Sequence, residues 1–408
     1  MTIVYKARWV LPIEGLPIDN GAIAVDEGRL VDVGKARAIS AGTIHDLGDC
    51  ILLPGFVNAH THLELSCYRG MVPPMPLWEW FERLMTLIYG PGGPKPGQES
   101  VLAGAAESLA AGVTCVGDIS RTGVHIATLR SSPIRKVCFL ELISGAMQPP
   151  NDAASLAAML DQAMTACQPD VLRLGVSPHT LYTVTWSDLC KAGDLARERR
   201  VPLTIHLAET SDEVEWLVHG TGPLADMLSK WKLPCASSSI RGSAIELLKM
   251  AGLLRLKPLL AHVNYISSRE VASLAASQAT VVWCPRSHRF FGHEPHRWQK
   301  MLAAGINVCI GTDSLASNET LSILDELRFV RRSVPAAEPD LLLEMGTIRG
   351  AKGLGLDARI GTLQLGKWAD FAVVPWDAHG PRLPAANLLD GNQCVTRVWI
   401  GGDEIRRP

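Results

Sequence analysis

No CxxC pair occurs in this sequence, although it holds ten cysteines, at positions 50, 67, 115, 138, 167, 190, 235, 284, 309 and 394. The scatter excludes a zinc knuckle and offers no disulfide framework. Several thiols lie inside apolar runs such as VTCVGD and NVCIGT, where they read as buried free cysteines of a reducing cytosol. Charge of one sign is not in excess either: 39 basic and 41 acidic residues leave a net charge of −2, so neither nucleic acid nor an anionic membrane is expected as a partner. No apolar run approaches the ~20 residues of a membrane span; MAGLLRLKPLLAHV is broken by Arg255, Lys257 and Pro258. The opening MTIVYKARWVLPIEG carries charges within its apolar run and no small-residue cleavage site, so no signal peptide and a cytoplasmic location are expected. A GxGxxG fingerprint after an early strand is also missing, which argues against a doubly wound nucleotide-binding sheet.

What is present points to an α/β chain with one large barrel and a smaller domain, which a length of 408 residues accommodates. Residues 1–52 alternate short β-like runs with Gly and Asp turns, and the tail repeats that texture in IGTLQLGKWADFAVVPW and QCVTRVWIGGDEI. Isolated hairpins are rarely stable, so the two ends, 1–52 and 358–408, are expected to pair into one small β-sandwich. Between them, in 53–357, eight apolar runs end near residues 60, 120, 144, 179, 209, 265, 285 and 314, most with room for a helix between. The first of these runs spans 51–60. Segments such as ESVLAGAAESLAAG, SDLCKAGDLARERR and SREVASLAASQ suit those helices. Eight strand–helix repeats predict a (β/α)8 TIM barrel, with chemistry at the C-terminal strand ends. Long connections at 63–100 and 210–257 are expected to carry lid or specificity elements.

Polar residues fall at those strand ends. His60 and His62, two apart in PGFVNAHTH, leave one face of an extended strand and so can reach one ion. HLAE contributes His206 and Glu209, AHV contributes His262, and GTDS contributes Asp313. Hydrolysis of an unreactive C–N bond near neutral pH needs a nucleophile stronger than water, which a divalent ion supplies by lowering the pKa of its water to ~7. Imidazole and carboxylate suit zinc or ferrous iron. Plainer roles stand beside these: a first-turn helix acid for Glu209, a core histidine for His262, a helix cap for Asp313.

In this order, on runs one, five, six and eight, PGFVNAHTH, HLAE, AHV and GTDS resemble the amidohydrolase superfamily. Within it they are most similar to the branch of cytosine, guanine, S-adenosylhomocysteine and aminodeoxyfutalosine deaminases and triazine hydrolases. GTLQLGKWADFAVV resembles that family's return into its small β domain, so the likeness covers nearly the whole chain. The resemblance implies one divalent metal, zinc with ferrous iron as the alternative, on His60, His62, His206 and Asp313. Glu209 would relay a proton from the attacking water to a ring nitrogen, His262 would hold or polarise water or substrate, and Asp313 would also pass a proton to the departing amine. His179 matches a substrate-contacting histidine, and Trp80 a tryptophan that covers the ring. Arg286 and His288 follow strand seven as further substrate contacts, His288 standing where the family commonly has asparagine. A homodimer is implied by the resemblance alone.

Binuclear members carry a carboxylated lysine at the end of strand four, whereas VLRLGVSPHTLYTV has none, so a single metal is expected. The expected reaction is deamination of an aminated heterocycle of the adenine nucleoside type, aminodeoxyfutalosine among them, to the oxo product and ammonia. A triazine-type chlorohydrolase or amine-releasing hydrolase, or a cyclic amidase, is the alternative on the same scaffold. A barrel that serves only as a binding partner would be expected to lose a ligand or the relay acid, and all six positions are intact. Nucleoside-type relatives place a ribose-gripping glutamate nine residues past the tryptophan. Here Tyr89 stands there, leaving Glu82 as a substitute.

Overall fold

Short β-branched and aromatic runs at both chain ends meet in one mixed sheet. The computed structural model describes residues 1–39, 42–146, 148–165, 167–168, 170–237 and 240–406. Strands β1 (Ile3–Val10), β2 (Ile18–Asp26), β3 (Arg29–Lys35), β4 (Thr43–Asp46) and β5 (Cys50–Pro54) come from the N-terminal end. The middle supplies β6 (Phe56–Thr61), β7 (Val113–Ser120), β8 (Arg135–Leu142), β9 (Leu172–Pro178), β10 (Thr204–Leu207), β11 (Leu259–His262), β12 (Thr280–Trp283) and β13 (Asn307–Ile310). The tail adds β14 (Phe371–Pro375), β15 (Arg397–Ile400) and β16 (Asp403–Glu404). The terminal sheet runs β16-β15-β14-β5-β1-β2-β3, with β4 also on β1. Its antiparallel pairs include β1 with β2 and β5 with β14, but β4 and β5 both lie parallel to β1, so the end region is not wholly antiparallel.

The middle strands form two parallel four-stranded sheets, β6-β7-β8-β9 and β10-β11-β12-β13. They touch at both margins through parallel bridges, Val176 to Leu203 and Thr61 to Asp313. Every residue of β7 and β8 is buried, as expected where helices cover parallel strands. Helices Gln98–Ala110, Trp186–Arg199 and Ser268–Ala275 occupy segments where the sequence places them. No helix among the described residues is long and apolar enough to cross a membrane, and all ten cysteines are free.

The run 51–60, expected as one strand, is two. Pro54 has no N–H to continue a ladder, and Gly55 lies so close to β7 that a Cβ there would stand 2.1 Å from Thr114 Oγ1. The chain therefore leaves the terminal sheet at Pro54 and enters the parallel one at Phe56. The other seven runs become β7 to β13. Several are shorter than the apolar runs because their last residues leave the ladder; His206 is the third residue of β10 and Glu209 lies beyond its end.

Behind β6 a buried ionic trio ties down the segment that follows His62. His125, in the short helix Val124–Thr128, presents Nδ1 to Asp118 Oδ2 and Nε2 to Glu64 Oε2, the latter at 3.2 Å. The Leu63 N–H donates to Asp118 Oδ1 at 3.0 Å, and the Arg121 N–H to Glu64 Oε1 at 3.2 Å. Burial disfavours a charged imidazole, but the two acids outweigh it and push the His125 pKa up to about 10. Replacing His125 by alanine leaves two facing carboxylates buried without their cation, so urea unfolding near pH 6 is expected to show a loss of about 3–5 kcal/mol. A loss below about 1 kcal/mol would rule out the ionic trio. Because the folded pKa is raised, the His125 contribution is fully present below its ordinary value of 6.5 and fades as pH rises toward about 10.

Candidate metal centre

Three strand ends converge on one point. His60 lies in β6 and His62 just beyond it, His206 in β10, and Asp313 three residues past β13. The nitrogens of His60, His62 and His206 lie within 4.8 Å of one another. His62 Nε2 and His206 Nε2 are 3.3 Å apart, and Asp313 Oδ1 stands 3.6 Å from His62 Nε2 and 3.9 Å from His60 Nε2. The approach of β13 to β6 depends on Gly311, where a Cβ would lie 2.8 Å from His60 O. Beyond it the N–H groups of Thr312 and Asp313 both donate to His60 O at 3.1 Å.

This donor set fits a divalent cation. Ligands at about 2.1 Å in a tetrahedral arrangement lie about 3.4 Å from each other, close to the observed separation of the two Nε2 atoms. Both ring nitrogens of His60 are buried with no hydrogen-bond partner among the described residues, a costly state for a polar side chain unless something else engages it. Burial and neighbouring histidines hold the pKa values of His60 and His206 well below the ordinary range, which keeps each ring neutral with one nitrogen free for ligation. Burial alone would raise Asp313, but the surrounding imidazoles bring it net below the usual carboxylate value. Its other oxygen, Oδ2, accepts from Ser287 Oγ at 2.6 Å and Ser317 Oγ at 3.0 Å.

Glu209 and His262 adjoin this cluster. Glu209 Oε1 is 3.7 Å from His262 Nε2, and carboxylate and imidazole atoms of Glu209, His262 and Asp313 group within 4.8 Å. Burial, with help from Asp313 and Glu213, raises the Glu209 pKa well above that of a free carboxylate; a cation at the cluster opposes that shift. Glu213 braces the turn, accepting the N–H groups of Ala208 and Glu209, each at 2.8 Å. Several of these strand-end residues are left-handed without being glycine: Ala208 at φ 47°, His262 at 70°, Val263 at 51° and Asp313 at 61°.

The remaining expected contacts are placed as follows. His179 lies against His206, ring centroids 5.0 Å apart, and its carbonyl faces His206 Nδ1 at 3.1 Å, which directs Nε2 toward His62. His288 Nδ1 is 3.0 Å from Asn264 Oδ1, and Asn264 Nδ2 donates to Glu209 O, so Asn264 links His288 to Glu209. Trp80 donates its indole N–H to Ala316 O and packs edge-on to Phe291, in a buried cluster beside the Asp313 loop. Arg286 is engaged with Glu319 and Glu326 and lies over Phe329, and no described contact joins it to the metal-ligand cluster. Glu82 is ion-paired with Lys230 at 2.7 Å on the surface, and Tyr89 is exposed, so neither faces the cluster.

Sequence reasoning passed over Ser287, Ser317, Glu213 and the pair Asn58 and Thr312. The last two are buried and clasp β6 to the Asp313 loop: Asn58 Nδ2 donates to Thr312 Oγ1 at 2.7 Å, and the Thr312 N–H to Asn58 Oδ1 at 3.1 Å. Glu213 had a signal, since TSDE directly after HLAE is a helix-start pattern whose acid at the third helical position can reach back to the turn.

A family model described as Amidohydrolase family matches residues 51–405. A Moorella thermoacetica protein named 5-methylthioadenosine/S-adenosylhomocysteine deaminase is 30% identical, the alignment covering 96% of this chain and 89% of that protein. A Desulforudis audaxviator protein of the same name is 30% identical, with 100% and 94% covered. Among solved structures, an adenosine deaminase from Xanthomonas campestris with bound zinc superposes with a TM-score of 0.84 at 26% identity, covering 98% of this chain and 92% of that one. Helicobacter pylori aminofutalosine deaminase in complex with methylthio-coformycin superposes with a TM-score of 0.88 at 22% identity, covering 99% and 100%, a likeness of fold. The strand-end ligands, the matched span and these likenesses agree: the chain belongs to the amidohydrolase family, and is a hydrolase of carbon–nitrogen bonds other than peptide bonds.

Proposed function

We propose that the chain is a mononuclear metal-dependent deaminase that converts an adenine nucleoside and water to the 6-oxo nucleoside and ammonia. The observation that carries this reading is the convergence of His60, His62, His206 and Asp313 with Glu209 and His262 directly beside them. The names of the 30%-identical relatives direct it to adenine nucleosides with a 5′-thio substituent; aminodeoxyfutalosine belongs to the same substrate type. The scaffold we infer is a closed (β/α)8 barrel of residues 53–357, supported by parallel bridges at both sheet margins. Beside it we place a small β-sandwich domain of 1–52 and 358–408. We further place the protein in the cytoplasm as a homodimer.

His60, His62, His206 and Asp313 would hold the ion, zinc in our reading with ferrous iron as the alternative. When bound, it supplies hydroxide near neutral pH by lowering the pKa of water to about 7. Addition of hydroxide to C6 requires a proton on N1, and departure of ammonia requires another on the amine. Glu209 takes the proton of the attacking water and delivers it to N1. Asp313 takes the second from the hydroxyl added at C6 and passes it to the amine as the C6–N bond breaks, leaving the 6-oxo group. His262, 3.7 Å from Glu209, orients water and the developing oxo group. His179 and His288 line the substrate, Trp80 roofs the site through its hold on Ala316, and Arg286 anchors to Glu326 the helix Pro285–Phe290 that carries Ser287 and His288.

Elemental analysis is expected to give about one equivalent of zinc or iron per chain, with activity lost on chelation and restored by metal; two equivalents would overturn the mononuclear reading. Glu209→Gln is expected to retain the metal while kcat falls ~10² to 10⁴-fold, and His262→Asn to behave similarly. Normal turnover by metal-loaded Glu209→Gln would move the relay to another group. Ammonia release should be fastest with adenine nucleosides among adenosine, methylthioadenosine, S-adenosylhomocysteine, aminodeoxyfutalosine, guanine, cytosine and melamine-type triazines. Preference for a bare base or a triazine over every nucleoside would sink the substrate assignment and leave the deaminase chemistry in place.

A further inference from the structure

We propose that Glu141, near the end of β8, is a specificity-determining residue that accepts hydrogen bonds from the ribose hydroxyls of the substrate. The inference rests on the nucleoside reading above and adds the group that recognises the sugar. Its side chain is 8% exposed, and its nearest described ionisable partner is His179, whose Nε2 is 4.0 Å from Oε1. Oε1 is buried with no hydrogen-bond partner among the described residues. A carboxylate oxygen stripped of water and left without a donor is expensive to keep, so a site that retains one has its donor delivered by what binds there.

The surroundings narrow what those donors can be. Carboxylate and imidazole atoms of Glu141, His179 and His206 lie within 4.8 Å of one another, which places Glu141 beside the metal-ligand cluster on the β8–β9 side. A second cation is not the occupant, because His206 is already committed: Nε2 faces His62 Nε2 and Nδ1 faces His179 O. With His179 Nδ1 at 2.8 Å from Thr183 Oγ1, only one imidazole nitrogen and one carboxylate remain, too few for a protein-held ion. Arg121 does not neutralise the carboxylate either. Its guanidinium donates to the backbone carbonyls of Glu141, Gln148 and Pro150, so it fixes the end of β8 and leaves the side chain unpaired.

The chemistry of an adenine nucleoside completes the elimination. Its ring nitrogens N1, N3 and N7 accept, N9 bears the sugar, and the single ring-borne donor is the 6-amino group that reacts at the metal cluster. The hydroxyls are therefore the donors left for a carboxylate, and two adjacent O–H groups match its two oxygens. Glu82, the acceptor expected from the insertion helix Leu77–Tyr89 for the diol, is paired with Lys230 on the surface instead. The wall next to Glu141 is already shaped: Tyr182 stands edge-on to Trp78 of that helix at 5.6 Å, and Trp78 Nε1 donates to Asp212 at 2.7 Å.

The test measures ammonia release from methylthioadenosine and its 2′-deoxy and 3′-deoxy counterparts, with free adenine and a melamine-type triazine as controls, by wild type, Glu141→Gln and Glu141→Ala. Methylthioadenosine carries no amino-acid tail, so a tail ammonium cannot stand in for the hydroxyls. The wild type is expected to lose about 10- to 100-fold in kcat/KM when either hydroxyl is removed, chiefly through KM. Glu141→Ala should treat ribo and deoxy substrates within about threefold of each other, because the pair that discriminates them is gone, with Glu141→Gln between. Absence of deoxy discrimination in the wild type overturns the proposal whether or not either variant folds. An equal loss on ribo and deoxy substrates also overturns it and makes Glu141 a prop for His179. Ammonia from the free base or triazine but from no nucleoside overturns the nucleoside reading itself, and this proposal with it.

Discussion

Everything at the catalytic end of the parallel strands depends on imidazole nitrogens being held closer together than they would rest alone. His62 and His206 aim Nε2 at each other across 3.3 Å, while both nitrogens of His60 are buried and without a hydrogen-bond partner among the described residues. With an unprotonated nitrogen on each ring, as ligation requires, the two lone pairs repel at that distance, and an unpaired buried ring is costly. A cation reverses the sign of both terms. Folding builds this geometry from parts distant in sequence: His60 and Asp313 are joined through the backbone of Thr312 and Asp313, and His206 is oriented by the carbonyl of His179.

Holding the ligands there has an elastic cost. Left-handed backbone at Ala208, His262, Val263 and Asp313 disfavours L-residues by about 1–3 kcal/mol each, and Val263 is β-branched besides. The compensation is local and strongly bonded. Glu213 takes both N–H groups of the 208–209 turn, Asn58 and Thr312 clasp the first and last of the parallel strands, and Ser287 and Ser317 fix Asp313 Oδ2 so that Oδ1 faces the histidines. The Asp118–His125–Glu64 trio does the same behind His62. Strained strand ends surrounded by saturated hydrogen-bond networks are what a site needs when its ligands must not relax as substrate enters and product leaves.

Which parts of this were legible in the sequence follows from locality. HxH, HLAE, AHV and GTDS each place a donor at the end of an apolar run, so one short stretch states both the strand and its terminal chemistry. The parallel strands were readable for the same reason, because continuous apolar runs mark buried strands. The split of 51–60 was not, since Gly55 is required by Thr114, nearly sixty residues away. Nor were Ser287 and Ser317, which look like ordinary loop serines until Asp313 is seen between them. In sequence an aromatic helix face such as that of Trp80 suits a roof and a satellite core equally; folded, Trp80 is packed in such a core and hydrogen-bonded to the Asp313 loop at once. His125 offered no pattern, as its partners lie on a different strand and a different loop.

The same locality separates chemistry from selectivity. The candidate ligands and relay groups sit at or just past strand ends, where the ladder and the hydrogen-bonded turns beyond it fix their positions. The side chains around them come from connecting segments. Trp78 and Trp80 come from the helix Leu77–Tyr89, Asp212 from the segment after β10, and His288 from the helix after β12. Such segments can exchange side chains without disturbing the metal ligands, which is how Glu82 can be spent on a surface ion pair with Lys230 while the cluster stays intact. Glu141 breaks that division, being a buried carboxylate near the end of a parallel strand yet outside the ligand set. A group held that rigidly and left unpaired discriminates more sharply than one on a mobile loop, because a ligand lacking the matching donor meets a full desolvation penalty that the backbone cannot relax.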